Sequence, residues 1–365
     1  MSENKERKLV TVRTIGAISP IEGADKIELA RVDGWNVVVR KGAFKPGDQC
    51  VYFEIDSWVS VEDERFEFLK KMGAKKAIDG VERFRIKTIR FRGQISQGLA
   101  LSADMFTESE LNNLNEELDV IKYERQEPVH ADAAGNYPPF MQKTDEKRIQ
   151  NIYYDVKDRG DYKNTLFYPT IKIDGTSIQV AYIRPDSPHL MNLEEDKYIS
   201  CEDGGQFLLL SRNLMLKPKA DGTEMAAIAK ANVLEKLKQI SDELGVSVAI
   251  RGEFSGPGIQ GNPERLAEFT YFPYGLLDID NQEQISWEKC LELFGKYNVK
   301  NVVKNIEDPF KVFSRFSTID DILKYADGKG MRADRREGIV FKGVMNGRYI
   351  SFKVISNKWL LKNDG

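Results

Sequence analysis

Short runs of alternating apolar and polar residues, separated by turn residues, fill the N-terminal part of the chain. Ile27–Val32 and Trp35–Val39 are predicted strands, and Asp33-Gly34 between them favours a tight hairpin turn. Further short strands are predicted at Leu9–Val12, Val51–Ile55, Arg83–Phe91 and Gly98–Leu101. Short strands joined by turns are typical of a small antiparallel β-barrel.

The pattern changes from about Phe140 onward, where predicted strands are mixed with predicted helices. Thr223–Leu244 carries apolar residues at helical spacing, and Gly245 follows it at a place where helices commonly end. Two shorter helices and a closing hairpin are predicted at Ser286–Phe294, Ile319–Tyr325 and Gly338–Ile355. This part of the chain is therefore predicted to combine antiparallel sheets with helices.

A mostly polar and charged stretch with several prolines separates the two patterns, which is typical of an exposed connector. The strand count and size of the first part fit an OB-like barrel, although other small barrels produce the same pattern. We therefore predict an α+β protein in three parts: an OB-like domain over residues 1–125, a linker over 126–140 and a second domain over 141–365.

The composition limits the possible functions. The 365 residues carry a formal net charge of −3, so a nucleic-acid surface would have to be a local concentration of cations. Three widely spaced cysteines predict reduced thiols, and no stretch approaches the length of a membrane-spanning helix. We expect a cytoplasmic protein with no membrane partner. Because only two histidines occur, His130 and His189, the chemistry is expected to depend on lysine, carboxylates and metal.

The first candidate for chemistry is Lys172, in the segment Ile171-Lys172-Ile173-Asp174-Gly175. The flanking residues are predicted strands, with Asp174-Gly175 as the turn of a hairpin between them. A lysine held beside a tight turn on an apolar strand is positioned and partly desolvated. Both conditions help its amine to lose a proton and act as a nucleophile. An ordinary hairpin with an edge lysine explains this segment equally well on its own.

Further segments that combine carboxylates, basic residues and glycines follow in order: Ser211-Arg212-Asn213, Arg251-Gly252-Glu253-Phe254, Tyr274-Gly275-Leu276-Leu277-Asp278, Glu337-Gly338-Ile339-Val340-Phe341-Lys342 and Ser351-Phe352-Lys353-Val354-Ile355. Together with the Lys172 segment, they resemble the motifs of the covalent nucleotidyltransferases, which comprise DNA ligases, RNA ligases and mRNA capping enzymes. The barrel that precedes Lys172 is similar to the N-terminal OB module of ATP-dependent RNA ligases of the Naegleria type. The resemblance implies that residues 141–365 form an adenylyltransferase domain.

The resemblance also implies a reaction. Lys172 would attack the α-phosphate of ATP to form a lysyl-adenylate, with release of pyrophosphate. The AMP would pass to an RNA 5′-phosphate, and an RNA 3′-hydroxyl would then displace it. A monomer acting on RNA ends, with a nicked duplex as substrate and a role in RNA repair, is the expected setting.

Each site residue has an implied role. The catalytic residues would be Lys172, Lys353 and Glu337, and magnesium or manganese would be held by Asp174, Glu253 and Glu337. Lys353 and Lys342 would neutralise phosphate charge and lower the pKa of Lys172. Either Tyr274 or Phe272 would stack on adenine, with core packing as the alternative for both. The full set expected to bind ATP is Arg148, Ile171, Lys172, Arg212, Glu253, Phe272, Tyr274, Lys342 and Lys353.

A basic segment in the barrel is the candidate RNA surface. It contains Arg83, Arg85, Lys87, Arg90 and Arg92, interleaved with apolar residues. On a regular strand the first three share one face and the last two share the other, so a break near Thr88 is needed to align all five. A solvated barrel face is the alternative.

One departure from the resemblance concerns the last motif. Some RNA ligases have two lysines spaced by one residue there, whereas this chain has Ser351 before Lys353. Three other functions stay open at this stage: an inactive nucleic-acid-binding protein of the same fold, a guanylyltransferase that caps RNA, and a DNA-joining enzyme.

Overall fold

The computed structural model describes residues 8–71, 75–78, 80–123, 133–143, 145–219 and 222–363. The chain divides into two compact units. Unit 1 comprises Met1–Gln126, Ile149–Asp155 and Leu360–Gly365, and unit 2 comprises Glu127–Arg148 and Val156–Trp359.

Unit 1 is built mainly from short antiparallel strands. Its described strands are β1 (Val10–Pro20), β2 (Ile27–Val32), β3 (Trp35–Arg40), β4 (Gln49–Phe53), β5 (Ser57–Ser60), β6 (Lys75–Ile78), β7 (Val81–Ile86), β8 (Thr88–Phe91), β9 (Gln94–Gln97), β10 (Leu99–Ser102) and β11 (Ile121–Lys122). Its helices are α1 (Glu108–Asn112), α2 (Leu114–Glu117) and most of α3 (Ile149–Val156), with 3₁₀ turns at Glu64–Lys71 and Ala103–Met105.

The strands of unit 1 form a five-stranded sheet in the order β10-β4-β1-β2-β3, a four-stranded sheet in the order β11-β5-β7-β6, and the β8–β9 hairpin. One apolar cluster joins the two larger sheets, with Phe53 from the first and Phe84 from the second. The Phe53 ring meets Phe66 edge-on at a centroid separation of 5.2 Å. The predicted β2–β3 hairpin is confirmed, with Asp33 at a φ of 46° in its turn.

Unit 2 contains most of the helices. Its described strands are β12 (Ala133–Asn136), β13 (Lys147–Arg148), β14 (Phe167–Lys172), β15 (Thr176–Ile183), β16 (Ile199–Ser200), β17 (Gln206–Leu210), β18 (Leu214–Leu216), β19 (Val248–Ser255), β20 (Thr270–Asp278), β21 (Glu283–Gln284), β22 (Gly338–Met345) and β23 (Arg348–Ile355). Its helices are α4 (Gly160–Asn164), α5 (Thr223–Lys230), α6 (Val233–Leu244), α7 (Trp287–Lys296), α8 (Val312–Arg315), α9 (Ile319–Tyr325) and the start of α10 (Asn357–Asn363), with a 3₁₀ turn at Glu195–Lys197.

Two sheets organise unit 2. The large sheet runs β12-β18-β17-β15-β19-β20-β21 with β16 beside β17, and the small sheet runs β13-β23-β22-β14. A large apolar cluster packs residues of α5, α6 and α7 against the large sheet. Phe341 and Phe352 stack in the small sheet with a centroid separation of 5.1 Å. None of the helices in the described ranges is long and apolar enough to cross a membrane.

The predicted hairpin around Asp174-Gly175 is wrong. Strand β14 pairs with β22 in the small sheet, whereas β15 pairs with β17 and β19 in the large sheet. Asp174-Gly175 is therefore the crossover from one sheet to the other. A Cβ on Gly175 would lie 2.4 Å from the carbonyl oxygen of Phe254, so only glycine lets the crossover run this close to β19.

Three other segments differ from the sequence prediction. The helix predicted over Thr223–Leu244 is split into α5 and α6, because Asn232 adopts a left-handed backbone with a φ of 52°. The strand predicted over Arg83–Phe91 breaks at Lys87 into β7 and β8. Part of the predicted linker over 126–140 forms β12, which pairs with β18, while residues 124–132 lie outside the described ranges.

Candidate active site

Lys172 is the last residue of β14, where the chain leaves the small sheet for the large one. Its register partner in β22 is Gly338, so the residue before that glycine, Glu337, lies beside the lysine. The Lys172 Nζ donates a hydrogen bond to Glu337 Oε2 at 2.7 Å. The lysine side chain is 25% exposed, so it is only partly covered by its neighbours.

Two further carboxylates act on the same ammonium group. Glu253 lies on β19 opposite Ser177, and Asp174 follows Lys172 in the crossover. Burial raises the pKa of Glu253 to about 8, and Glu337 and Asp174 add to that rise while Lys172 opposes it. The site therefore concentrates more negative than positive charge around Lys172.

This charge balance differs from the sequence expectation for Lys172. Burial lowers the pKa of Lys172, but the attraction of Glu337, Glu253 and Asp174 outweighs burial and holds that pKa above the ordinary lysine value. The three carboxyl groups therefore favour the ammonium form of Lys172. The net shift is therefore opposite to the lowering that was expected from Lys342 and Lys353.

A stability measurement tests the buried carboxyl. Because the folded-state pKa of Glu253 is raised to about 8, the folded protein holds a proton that the unfolded chain releases near its ordinary pKa. Folding stability should then fall as pH rises from about 5 to about 8. We expect the melting temperature of the wild type, relative to Glu253→Gln, to decline over this window in metal-free buffer. If the melting temperatures of the two proteins instead change in parallel with pH, Glu253 is ionised over the whole window.

Lys353 lies on β23 and faces the same side of the small sheet as Lys172. Its Nζ donates to Asp145 Oδ1 at 2.8 Å. Burial lowers the pKa of Lys353, Asp145 opposes this shift and Arg148 adds to it. Arg148 is the register partner of Lys353 in the neighbouring strand β13 and is buried. The structure thus brings Arg148 and Lys353 together beside a carboxylate.

Lys342 occupies a different position from the one expected. It is 3% exposed, its Nζ donates to the carbonyl oxygen of Tyr274 at 2.5 Å, and it lies 3.8 Å from the centroid of the Trp287 ring. Burial lowers its pKa to about 8. Its ammonium group is therefore directed toward β20 and α7. The neighbouring carboxylate of Glu337 binds Lys172 and not Lys342.

The remaining expected ATP-binding residues are placed as follows. Phe272 is 2% exposed and belongs to the apolar core, whereas Tyr274 is partly exposed with its hydroxyl 3.4 Å from Ser177 Oγ. Ile171 is buried in the same core. Arg212 is exposed in the turn between β17 and β18. Of the two aromatic residues, Tyr274 has surface to offer a base.

The donor set suits a hard divalent cation. Asp174, Glu253 and Glu337 supply carboxylate oxygens, and a cation would relieve the repulsion that adds to the effect of burial on the pKa of Glu253. Among the residues that the structure describes, no group of three or more His, Cys, Asp or Glu side chains is arranged to hold a metal by itself. The residues therefore fit a cation that takes one or two carboxylates and completes its shell with water and phosphate oxygens.

The expected RNA surface of unit 1 needs a correction. Arg83 is buried and forms an ion pair with Asp119, and Arg85 pairs with Asp56 at 2.8 Å. Neither guanidinium belongs to an open basic face, because each is used to hold its neighbouring loop. The exposed cations of the segment are Arg90 and Arg92 on the β8–β9 hairpin, with Lys87 half-buried before it.

The contacts of two further residues could not be predicted from the sequence. Asp145 lies in an ordinary-looking charged run, and only its contact with Lys353 marks it. Arg251 is 3% exposed and donates to the carbonyl oxygen of Gln142 at 2.6 Å and to Gln179 Oε1 at 3.2 Å. The glycine that follows Arg251 was a weak signal for close packing, since a Cβ on Gly252 would lie 2.3 Å from the Tyr271 ring.

Each of the two units contains a region that matches a known protein family. A family model described as an OB-fold domain matches residues 9–103, and the RNA ligase family model matches residues 166–355. No curated protein matches the chain.

Solved structures of Naegleria gruberi RNA ligase are similar over the whole length. The structure with PPi is 32% identical, with a TM-score of 0.83 over 98% of this chain and 99% of that chain. A variant with AMP and Mn is 32% identical, with a TM-score of 0.81 over 98% and 99%. A variant with ATP and Mn is also 32% identical, with a TM-score of 0.81 over 97% and 99%.

The predicted fold class is confirmed: an OB-fold domain precedes a ligase domain of helices and sheets. The chain belongs to the RNA ligase family. It is therefore an enzyme that acts on RNA, and a binding protein without activity is not favoured.

Proposed function

We propose that this RNA ligase uses ATP to join a 3′-hydroxyl end of RNA to a 5′-phosphate end, through an AMP carried on Lys172. The observation that supports this best is the position of Lys172, whose partly exposed side chain lies at a sheet crossover with Nζ 2.7 Å from Glu337 Oε2. A partly exposed lysine beside carboxylates that can take a cation or accept its proton can act as a nucleophile once that proton has left.

The first step forms the bond between Lys172 and AMP. The unprotonated Nζ attacks the α-phosphorus of ATP, the bond to the β-phosphate oxygen breaks, and pyrophosphate leaves. Lys353, together with Arg148, would meet negative charge on the α-phosphate once Lys353 leaves Asp145. We assign the partly exposed ring of Tyr274 to the adenine. We assign Glu253 and the exposed Arg212 to the ribose and phosphates.

The proton on Lys172 must leave before the attack. Glu337 already accepts a hydrogen bond from Nζ, so it is placed to guide that proton away. A divalent cation, magnesium or manganese, would be held by one or two of the carboxylates Asp174, Glu253 and Glu337, and it would neutralise charge on these carboxylates and on the phosphates. Neutralising these carboxylates removes the attraction that raises the pKa of Lys172.

The second and third steps consume RNA. The 5′-phosphate oxygen attacks the phosphorus of lysyl-AMP and frees Lys172, and the 3′-hydroxyl then attacks the 5′-phosphorus and displaces AMP. We propose that a nicked duplex is the substrate, that the exposed Arg90 and Arg92 help to bind it, and that the enzyme works as a monomer. Three free cysteines, Cys50, Cys201 and Cys290, support a reducing compartment such as the cytoplasm.

Labelled nucleotide and nicked duplexes test the proposal together. We expect a labelled protein adduct with ATP and a divalent cation, little adduct with GTP, and sealing of nicks whose 3′-hydroxyl strand is RNA. Preferential labelling by GTP would indicate a capping enzyme instead. Equal sealing of DNA and RNA nicks would contradict the assignment of RNA as the preferred substrate.

A further inference from the structure

The strand β20 contains a bulge at Tyr274. Arg251 of β19 is opposite Gly275, but the next residue, Gly252, is opposite Pro273. Tyr274 is therefore the extra residue of the bulge. A β-bulge interrupts the regular ladder and re-aims the side chain that it carries. Here it turns the Tyr274 hydroxyl toward Ser177 on β15 at 3.4 Å.

Groups from outside the large sheet bind the carbonyl oxygens of this bulge. The backbone N–H of Val303 donates to the carbonyl of Pro273 at 3.0 Å. The Nζ of Lys342 donates to the carbonyl of Tyr274 at 2.5 Å. The first donor comes from the loop after α7, and the second comes from β22 of the small sheet.

The surroundings of Lys342 favour a fixed position for its ammonium group. The group lies 3.8 Å from the centroid of the Trp287 ring, and the side chain is 3% exposed. An ammonium ion is expensive to bury, so both the carbonyl and the ring face are needed to stabilise it. Burial lowers its pKa to about 8, yet the protonated and neutral amines both keep an N–H to donate.

We propose that Lys342 is a positioning residue, which holds the Tyr274 bulge in place so that the Tyr274 ring can receive the adenine of ATP. This inference rests on the proposed function and assigns Lys342 a role different from contact with phosphate. Because β22 also pairs with the strand that ends at Lys172, Lys342 links the surface for the base to the strand of the nucleophile.

Equilibrium binding of ATP in a Lys172→Ala background tests this link without chemistry. We expect Lys342→Met to weaken ATP binding about tenfold, within the range that stacking of one base contributes. Tyr274→Ala should weaken it by a similar factor. The double variant should be no more than about twofold weaker than Tyr274→Ala alone, because both changes remove the same contact.

Two comparisons keep the test decisive. Lys342→Gln retains a neutral donor and should bind ATP better than Lys342→Met. If thermal melting shows that Lys342→Met is unfolded, Lys342→Gln takes its place in the cycle. Lys300→Met, on an exposed lysine, should bind ATP as the parent does. If the effects of Lys342→Met and Tyr274→Ala multiply, the positioning role is overturned.

The rate of adduct formation separates the inference from the proposed function. In an otherwise wild-type background, Lys342→Met should raise the KM for ATP and leave the single-turnover rate at saturating ATP within about twofold, whereas Lys353→Met should lower that rate. A loss at saturating ATP like that of Lys353→Met would make Lys342 a phosphate contact. Absence of any adduct in the wild type would refute the proposed function while the binding cycle still decides the role of Lys342.

Discussion

Lys172→Ala should form no covalent adduct with AMP. Removal of a nucleophile that no neighbour can replace lowers the rate by more than about a thousandfold. The measurement is incubation with ATP labelled at the α-phosphate and a divalent cation, followed by denaturing electrophoresis. The same variant should fail to seal a nicked RNA duplex from ATP, since no AMP is available for the 5′-phosphate.

Lys172→Arg is the matched control for structure. Arginine keeps a positive charge beside Glu337 and preserves the ion pair, but its guanidinium does not give up a proton near neutral pH. We expect this variant to melt like the wild type and still form no adduct. Lys300→Ala, on an exposed lysine outside the site, should label normally. An adduct on Lys172→Ala comparable with the wild type would end the assignment of Lys172.

The sequence was most informative where neighbouring strands also pair with each other. The β2–β3 hairpin and the β22–β23 hairpin each combine a turn signal with an alternating pattern, and both form as predicted. Helix α9 has the predicted bounds, and in the structure Thr318 and Asp321 form a capping box at its start. Local signals were sufficient in these cases because the partners are adjacent in the chain.

The crossover after Lys172 shows where local signals fail. Asp174-Gly175 has the composition of a hairpin turn, yet β14 and β15 each pair with strands far away in the sequence. Non-local pairing depends on which strands have complementary apolar faces, and a two-residue turn signal carries no information about it. The error matters for function, because the crossover is what brings Lys172 between the carboxylates of two sheets.

The order of the motifs along the chain predicted which residues belong to the site. It did not predict which of those residues contact one another. The resemblance picked out Glu337 and Lys353, whereas the hydrogen bonds to Lys172 and Asp145 come from the fold. The basic segment of unit 1 gives the opposite case. Arg83 was chosen for its charge, and the structure uses that charge to hold Asp119. Charge in a sequence does not distinguish a free cation from a paired one.

The charges around Lys172 and Lys353 explain why we expect the formation of lysyl-AMP to need ATP and metal together. Glu337 and Asp174 favour the protonated form of Lys172, and Asp145 accepts a hydrogen bond from Lys353. Both ammonium groups are thus occupied by carboxylates until phosphates and a cation arrive. Binding would exchange carboxylate contacts for phosphate contacts, so the nucleophile would be freed only when its substrate is present.

Glu337→Gln is the second variant with a large expected effect. Loss of this carboxylate removes a candidate metal ligand and the acceptor for the Lys172 proton. We expect the rate of adduct formation to fall by at least about a hundredfold at saturating ATP, and the manganese or magnesium concentration for half-maximal rate to rise. Titration of the cation at fixed ATP measures both effects.

The pH profile of the residual activity gives a signature that a simple loss of folding cannot produce. Glu337 is the strongest of the charges that raise the pKa of Lys172, so its removal lowers that pKa. An amine with a lower pKa is unprotonated at lower pH, and the acidic limb of the profile should therefore move to lower pH in Glu337→Gln. Glu268→Gln, on an exposed glutamate, should leave the profile unchanged. A profile for Glu337→Gln with its acidic limb unmoved, and a cation requirement like that of the wild type, would mean that Glu337 neither binds the metal nor controls the proton on Lys172.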